Sequence, residues 1–365
     1  MSESEVTRDG VRGGRPDREA TTGAVRADGR QGGRRRRGRA RAERAMVPDA
    51  DFRSYYGMPI LNPPVWTAPD IPGYLFLGGL AGASSVLGAG ARASGRPGLA
   101  RSSTVAALGG GLLSLVALVH DLGKPARFLN MLRVVKVTSP MSVGSWLLAG
   151  YVPLAGVAAA SAVTGRLPRV GAAATTGAAA LGPAVASYTA ALISDTAVPA
   201  WHDGHREMPY VFVGSGATAA GGLGLVAAPL REQAPARALA VLGVGAELAS
   251  VELMERRMGM TAEPYSSGTG GRYLRASKVL ALAGAAGAVL GRRNRIASAL
   301  SGAALVAASA ATRWGIFHAG LQSAEDPKYT VVPQRQRLEE GRPATGTPTT
   351  TPTTTRTPAA PAGEH

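Results

Sequence analysis

Residues 143–163 read VGSWLLAGYVPLAGVAAASAV, twenty-one positions without a charged side chain. An α-helix rising about 1.5 Å per residue crosses the roughly 30 Å apolar core of a bilayer in about twenty residues. The stretch therefore fits a transmembrane helix. Seven further apolar segments, at 72–92, 102–120, 171–193, 209–228, 236–253, 274–290 and 296–315, are close to the same length. The pieces between them are short and rich in Arg, Gly and Pro: RASGRPGLARS, TGRLPRV, PLREQAPARA and GRRNR, residues that stop and turn a helix. This rhythm predicts an all-α integral membrane protein of about eight transmembrane helices, multi-pass in the cell membrane. Eight buried Ala-rich helices without a polar face would present nothing to water, which disfavours a soluble bundle. The 49 glycines suit close helix packing in lipid. They also dilute the hydropathy of the segments, most of all the seventh.

The flanks differ from this middle. Residues 1–54 mix Arg, Gly, Asp and Glu without periodicity and predict a disordered basic tail; residues 336–365, with TGTPTTTPTTTRTP, predict a second one,. The membrane domain lies between, at 55–335. Much of the net charge of +16 sits in GGRRRRGRARAERA at 32–45, which fits a solvated or lipid-headgroup-facing tail better than a nucleic-acid surface. No apolar stretch follows that tract until about residue 72, so the first helix is expected to act as an uncleaved signal anchor. The absence of cysteine excludes a disulfide, a thiolate-held zinc or an iron–sulfur cluster carried by this chain,. Only His120 lies near membrane depth and it has no partner histidine, so neither haem nor a metal site is expected.

Eight crossings place both termini and the loops after helices two, four and six on one side. All five histidines (His120, His202, His205, His318 and His365) and all four tryptophans (Trp66, Trp146, Trp201 and Trp314) fall there. Tyr74, Tyr188 and Tyr210 lie near the same face. The four opposite loops hold ten arginines, one glutamate and no aromatic residue. An interfacial aromatic belt accounts for part of this, but belts normally occur at both interfaces. A chemical site or a docking surface accounts for the one-sidedness. By the positive-inside rule the ten arginines set their loops in the cytoplasm, whereas the Arg-rich N-terminal tail argues the reverse; both orientations stay open.

Three segments carry ionisable residues where apolar ones dominate. The second helix ends LVHDLGKPARF at 118–128. There His120 and Asp121, beside Lys124 and Arg127, are either groups tuned for proton transfer or an ordinary solvated helix end. The fourth ends SYTAALISDTAVPAWHDGHREMPY. Tyr188 and Asp195 stand about two turns apart and share a face if the helix continues that far, as a pair for a carbonyl ligand or as a packed phenol and a solvated carboxylate. Glu247 lies inside the sixth segment as a possible proton route. Arg313, near the end of the eighth, is expected to snorkel.

The strings HDLGKPARF at 120–128 and SPMSVGSW at 139–146, on an eight-helix chain, resemble the NrfD/polysulfide reductase membrane-subunit family over roughly residues 55–335. They look closest to the actinobacterial members associated with molybdopterin oxidoreductases such as formate dehydrogenase. The resemblance implies two four-helix bundles and a quinone-reactive subunit with no redox cofactor of its own. It also implies an iron–sulfur ferredoxin-like partner and, beyond it, a molybdopterin catalytic subunit. The bound quinone, menaquinone in this setting, would be the only redox group here. Carried onto this chain, the resemblance makes Asp121, Lys124 and Arg127 the matching loop residues, with His120 adjacent and Trp146 opening the next helix. Asn62, in NPPVW ahead of the first helix, stands where polysulfide reductase uses polar residues. His120 or Asp121 would exchange the two protons of quinone chemistry, and Lys124 or Arg127 would stabilise charge on a quinone oxygen. Tyr188 and Asp195 stand second. Two rivals remain: a transporter or channel, whose sign is polar or broken helices at mid-membrane in both halves where here the polar cluster is expected mainly in the first, and an anchor without quinone chemistry.

Overall fold

A computed structural model describes residues 5–7, 10–12, 60–62, 64, 66, 68–122 and 126–339. The chain divides into two units, 1–50 and 51–365. The described part of the first is a short antiparallel hairpin, β1 (Glu5–Thr7) with β2 (Gly10–Arg12), in which Val6 faces Val11. The rest of the expected N-terminal tail, the expected Thr/Pro tail beyond 339 and Lys124 lie outside the described residues.

The regular elements described in the second unit are all helices. Eight helices have twenty residues or more: α1 (Asp70–Ala93), α2 (Pro97–Asp121), α4 (Pro140–Thr164), α5 (Pro168–Ser194), α7 (Met208–Ala227), α8 (Ala234–Met258), α10 (Gly268–Leu290) and α11 (Arg295–Glu325). Short helices fill the connections: α3 (Ala126–Met131), α6 (Pro199–Asp203), α9 (Glu263–Ser266) and, after α11, α12 (Lys328–Glu339). Each long helix lies on one expected apolar segment. Their starts are written in the sequence: α2, α4, α5, α7 and α8 carry proline in the first two positions, where a missing N–H costs nothing and φ is already helical. Asn294 caps α11 by accepting from Ile296 N and Ala297 N at 2.9 and 3.1 Å,.

Seven of the eight are long and apolar enough to cross a membrane: α1, α2, α4, α5, α7, α10 and α11. The weak member is α8, the sixth segment, and not α10, the seventh. The reason is charge: α8 carries Arg237 at one end, Glu252, Glu255, Arg256 and Arg257 at the other, and Glu247 in its middle.

Neighbour contacts close one ring, α1–α2–α4–α5, and another, α7–α8–α10–α11; α1 and α7 join them. Those two helices are the most buried, at two-thirds of their apolar windows. Glycine permits this. A Cβ on Gly82 of α1 would lie 2.3 Å from the Gly182 carbonyl oxygen of α5, and one on Gly216 of α7 would lie 2.8 Å from the Gly79 oxygen of α1. Backbones that close leave dispersion, not water exclusion, to hold helices together in lipid.

Candidate functional site

The short turns after α1, α4, α7 and α10 lie at one end of the helices; the start of α1, the longer connections 122–139, 195–207 and 259–267, and the end of α11 lie at the other. The acidic residues and the histidine of the first ring lie at that second end. Asp70 opens α1, and its Oδ2 lies 2.9 Å from Nδ1 of His120 in the last turn of α2. The imidazole is 75 % exposed and the carboxylate 21 %, so the pair has a wet end and an inward one. One turn deeper on α1, four residues on and hence on the same face, Tyr74 is buried. Its hydroxyl shares a short hydrogen bond with that of Tyr188 from α5, with the rings edge to face at 6.4 Å and 74°. Ser114 of α2 donates to the Tyr74 carbonyl at 3.2 Å. A Cβ on Gly144 of α4 would stand 2.3 Å from a ring carbon of Tyr188, so this glycine makes the room for the phenol. All four helices of the ring thus meet at the tyrosine pair.

Chemically, this is a carboxylate and an imidazole at the water boundary above two phenols in an apolar interior. Two hydroxyls joined by one hydrogen bond retain one O–H that can be donated elsewhere. Next in the chain after Tyr188, Thr189 Oγ1 is buried without a hydrogen-bond partner among the described residues, an orphaned polar atom.

The other expected site residues are scattered around this point. Asp121 ends α2 and is half-buried. Arg127 is exposed, with Nη1 donating to the Leu122 carbonyl at 3.1 Å. Trp146 is 43 % exposed and donates from Nε1 to the Val134 carbonyl at 3.4 Å, as an interfacial aromatic does. Asn62 is exposed ahead of α1. The Tyr188 and Asp195 pairing fails, because α5 stops at Ser194 and Asp195 has left helical geometry at ψ 55°. The phenol is buried and the carboxylate exposed.

Two expectations about the second half are corrected. Arg313 does not snorkel: it is fully buried, donates from Nη2 to the Phe212 carbonyl at 2.8 Å and holds its guanidinium 3.7 Å from the Phe212 ring centre, a cation–π contact. Its Nε and Nη1 are buried without partners among the described residues. Nor is the polar cluster mainly in the first half. Glu247 is 3 % exposed and accepts from Thr312 Oγ1; Thr218 Oγ1 stands 3.5 Å from its other oxygen. Ser277 joins Thr312 at 2.7 Å, which makes a buried polar knot across α7, α8, α10 and α11.

The aromatics of the same end are also more than a belt. Trp201 of α6 is fully buried, donates from Nε1 to the Ile316 carbonyl at 2.8 Å and lies between Trp66, stacked at 5.6 Å, and Phe317 at 6.0 Å. Around it, ion pairs fasten the connections. Arg257 of α8 binds Glu207 through two bonds of 2.7 and 2.6 Å, and that guanidinium holds the Glu207 carboxyl below the usual carboxylate range,. Lys328 does the same to Glu263.

Sequence reasoning missed Asp70 as a site residue and noted Tyr74 without pairing it. The signal was present in DIPGY at 70–74: an acid at the mouth of the first apolar segment and a phenol one turn inside it. Among known families, residues 59–240 match the family model described as Polysulphide reductase, NrfD. No curated protein matches the chain.

Proposed function

The chain belongs to the polysulphide reductase NrfD family, whose members are membrane subunits of redox complexes, and from that premise we propose that it exchanges electrons between the quinone pool and an iron–sulfur partner subunit. The observation that carries the reading is the ladder of groups at one end of the first ring: His120 with Asp70, then Tyr74 with Tyr188. The balance of the reaction is quinone plus two electrons plus two protons giving quinol, or its reverse. The partner supplies or takes the electrons, and this chain's residues handle the protons. His120 exchanges them with water, and Asp70 holds the imidazole in orientation,. The free O–H of the tyrosine pair donates to the quinone carbonyl and so stabilises the negative charge that reduction builds on that oxygen. Asp121 and Arg127 lie at the same end, and Lys124, between them in the sequence, is proposed to join them.

Charge and aromatic residues support the partner reading. The buried Trp201 platform and the Glu207–Arg257 and Glu263–Lys328 pairs stiffen the connections of this end, which suits a face that must meet another protein at fixed distance for electron transfer. A molybdopterin enzyme beyond the iron–sulfur subunit, with formate as its substrate and menaquinone as the quinone, is the finer form of the proposal. Glu247, in its polar knot within the second ring, serves in it as a proton-holding group on a second path.

Quinone-analogue titration of the purified complex tests the reading. Inhibitor-sensitive electron transfer is expected, reduced at least tenfold by His120→Ala or Asp121→Asn while the protein stays inserted and bound to its partner. Electron transfer that no quinone analogue inhibits would leave an anchor. Ion or solute flux through vesicles of the protein alone would indicate a transporter.

A further inference from the structure

The turns and adjoining helix ends opposite the tyrosine pair hold ten arginines and one glutamate, and the structure separates several of them by what they already bond. Glu232 is spent: it is 8 % exposed and its Oε2 accepts from Leu99 N at 2.9 Å, in the first turn of α2. Arg237 donates to the Ala288 carbonyl at 2.6 Å. Arg295 donates to those of Leu225, Val226 and Ala228. These two cap the carbonyl ends of α10 and α7, which have no partner within their own helices.

Arg92, Arg96 and Arg101 differ. They line a cavity of about 420 Å³ between the α1–α2 turn and the α4–α5 turn, walled by Pro97, Pro168 and Ser161, with no carboxylate in its lining. Arg92 donates to the Pro168 carbonyl at 3.0 Å and Arg96 to the Ser94 carbonyl at 3.2 Å. Arg101 is exposed and makes no hydrogen bond or ion pair within the described residues. Three guanidinium groups, whose planar forks match phosphate oxygens, thus converge without an acid to neutralise them.

The chemistry just below them is apolar. Along α2, Val105, Leu112 and Val116 follow Arg101 by 4, 11 and 15 residues, hence on one helical face, and are 45 %, 44 % and 63 % exposed. A ligand with an anionic head and a hydrocarbon body meets both surfaces. An inorganic anion meets only the first.

We propose that this cavity binds the phosphodiester of an anionic glycerophospholipid, whose acyl chain runs down the Arg101–Val116 face of α2. The lipid clasps the α1–α2 and α4–α5 hairpins together at the end of the first ring remote from the tyrosine pair.

Native mass spectrometry of the full chain tests this, with phosphatidylglycerol and phosphatidylcholine offered at equal concentration. Preferential retention of phosphatidylglycerol is expected, and Arg96→Gln with Arg101→Gln should weaken it about thirtyfold. That is two arginines at roughly 1 kcal/mol each near a membrane surface, at about 1.4 kcal/mol per tenfold. Arg292→Gln with Arg293→Gln removes the same charge from another turn of the same end and should change retention less than about twofold on that scale. Excess inorganic phosphate should not displace the lipid. Equal loss in the two double variants would mean diffuse attraction to a basic face. Displacement by phosphate would mean a free-anion site. Equal retention of the two lipids would mean no headgroup site. Any of these overturns the proposal. Should the double variant fail to fold, Arg101→Gln alone, whose guanidinium bonds nothing among the described residues, carries the test with an expected loss of about fivefold.

Discussion

Tyr188→Phe separates a structural hydrogen bond from a functional one. Both hydroxyls of the Tyr74–Tyr188 pair sit in residues that are 8 % exposed or less, so removing one oxygen leaves the other buried without its partner. An unsatisfied buried hydroxyl costs about 1–3 kcal/mol, whereas removing both partners is close to neutral. The single variant should therefore lose about 1–3 kcal/mol of stability, and Tyr74→Phe with Tyr188→Phe should regain most of it, since both phenyl rings still fill the space beside Gly144. Turnover should not follow. If a phenol donates to the charge that builds on a quinone oxygen, a lost hydrogen bond of about 1.5–3 kcal/mol slows quinone reduction by roughly ten- to hundredfold in the double variant, which has no phenol left, whereas the single variant keeps the Tyr74 O–H as a donor. Denaturant or thermal unfolding in mild detergent measures the first effect, and inhibitor-sensitive quinone turnover of the complex the second. Normal turnover in the double variant would reduce the pair to packing. A single variant as stable as the parent would remove even the hydrogen bond.

Gly144→Ala places a methyl 2.3 Å from the Tyr188 ring. It should cost about 1–3 kcal/mol by overpacking and depress turnover by displacing the phenol pair; unchanged unfolding and activity would show that the ring has room to move. The Glu207–Arg257 pair predicts acid sensitivity. Because the folded carboxyl is held below its ordinary range, its stabilisation is complete above the unfolded value and is lost as pH falls through the folded one. Glu207→Gln should then flatten the acid limb of a stability profile and leave neutral-to-alkaline behaviour parallel to the parent; an unaltered acid limb would contradict the assignment. Glu247→Gln keeps a carbonyl oxygen for the Thr312 hydroxyl but has no proton to exchange. It should insert and fold normally while lowering proton uptake linked to quinone turnover, as pH-indicator measurements on reconstituted vesicles would record. Normal uptake would assign Glu247 to structure alone.

The lengths of the spans were legible where hydropathy and packing agree. The stretch 143–163 became α4, Pro140–Thr164. They diverged at the eighth span, expected to end at 315 and extending to Glu325. Past Arg313 the sequence turns polar and aromatic, and the helix continues because its small residues still pack. A Cβ on Gly320 would fall inside the van der Waals reach of Trp201, 1.8 Å from Cε2. The snorkelling expected of Arg313 failed for a related reason: position along a helix says how deep a residue lies, while rotation about the helix axis decides whether it meets lipid, water or protein. The rim of the site was legible as HDLGKPARF, since charges at the end of an apolar run are conspicuous in one dimension. Its interior was not, because Tyr74 and Tyr188 look like ordinary aromatic residues of apolar helices.

By itself the sequence determined that this chain is a set of membrane-length helices with no cysteine and with the histidines and tryptophans of its described residues at one end, because length, apolarity and connection are properties of contiguous residues. Tertiary structure alone decided which ionisable groups meet: Asp70 with His120 across 50 positions, Tyr74 with Tyr188 across 114, and Glu247 with Thr312 across 65. Those meetings depend on how far each helix is rotated about its axis. Rotation is set by glycine contacts between backbones, such as Gly82 on Gly182, which leave no trace in hydropathy.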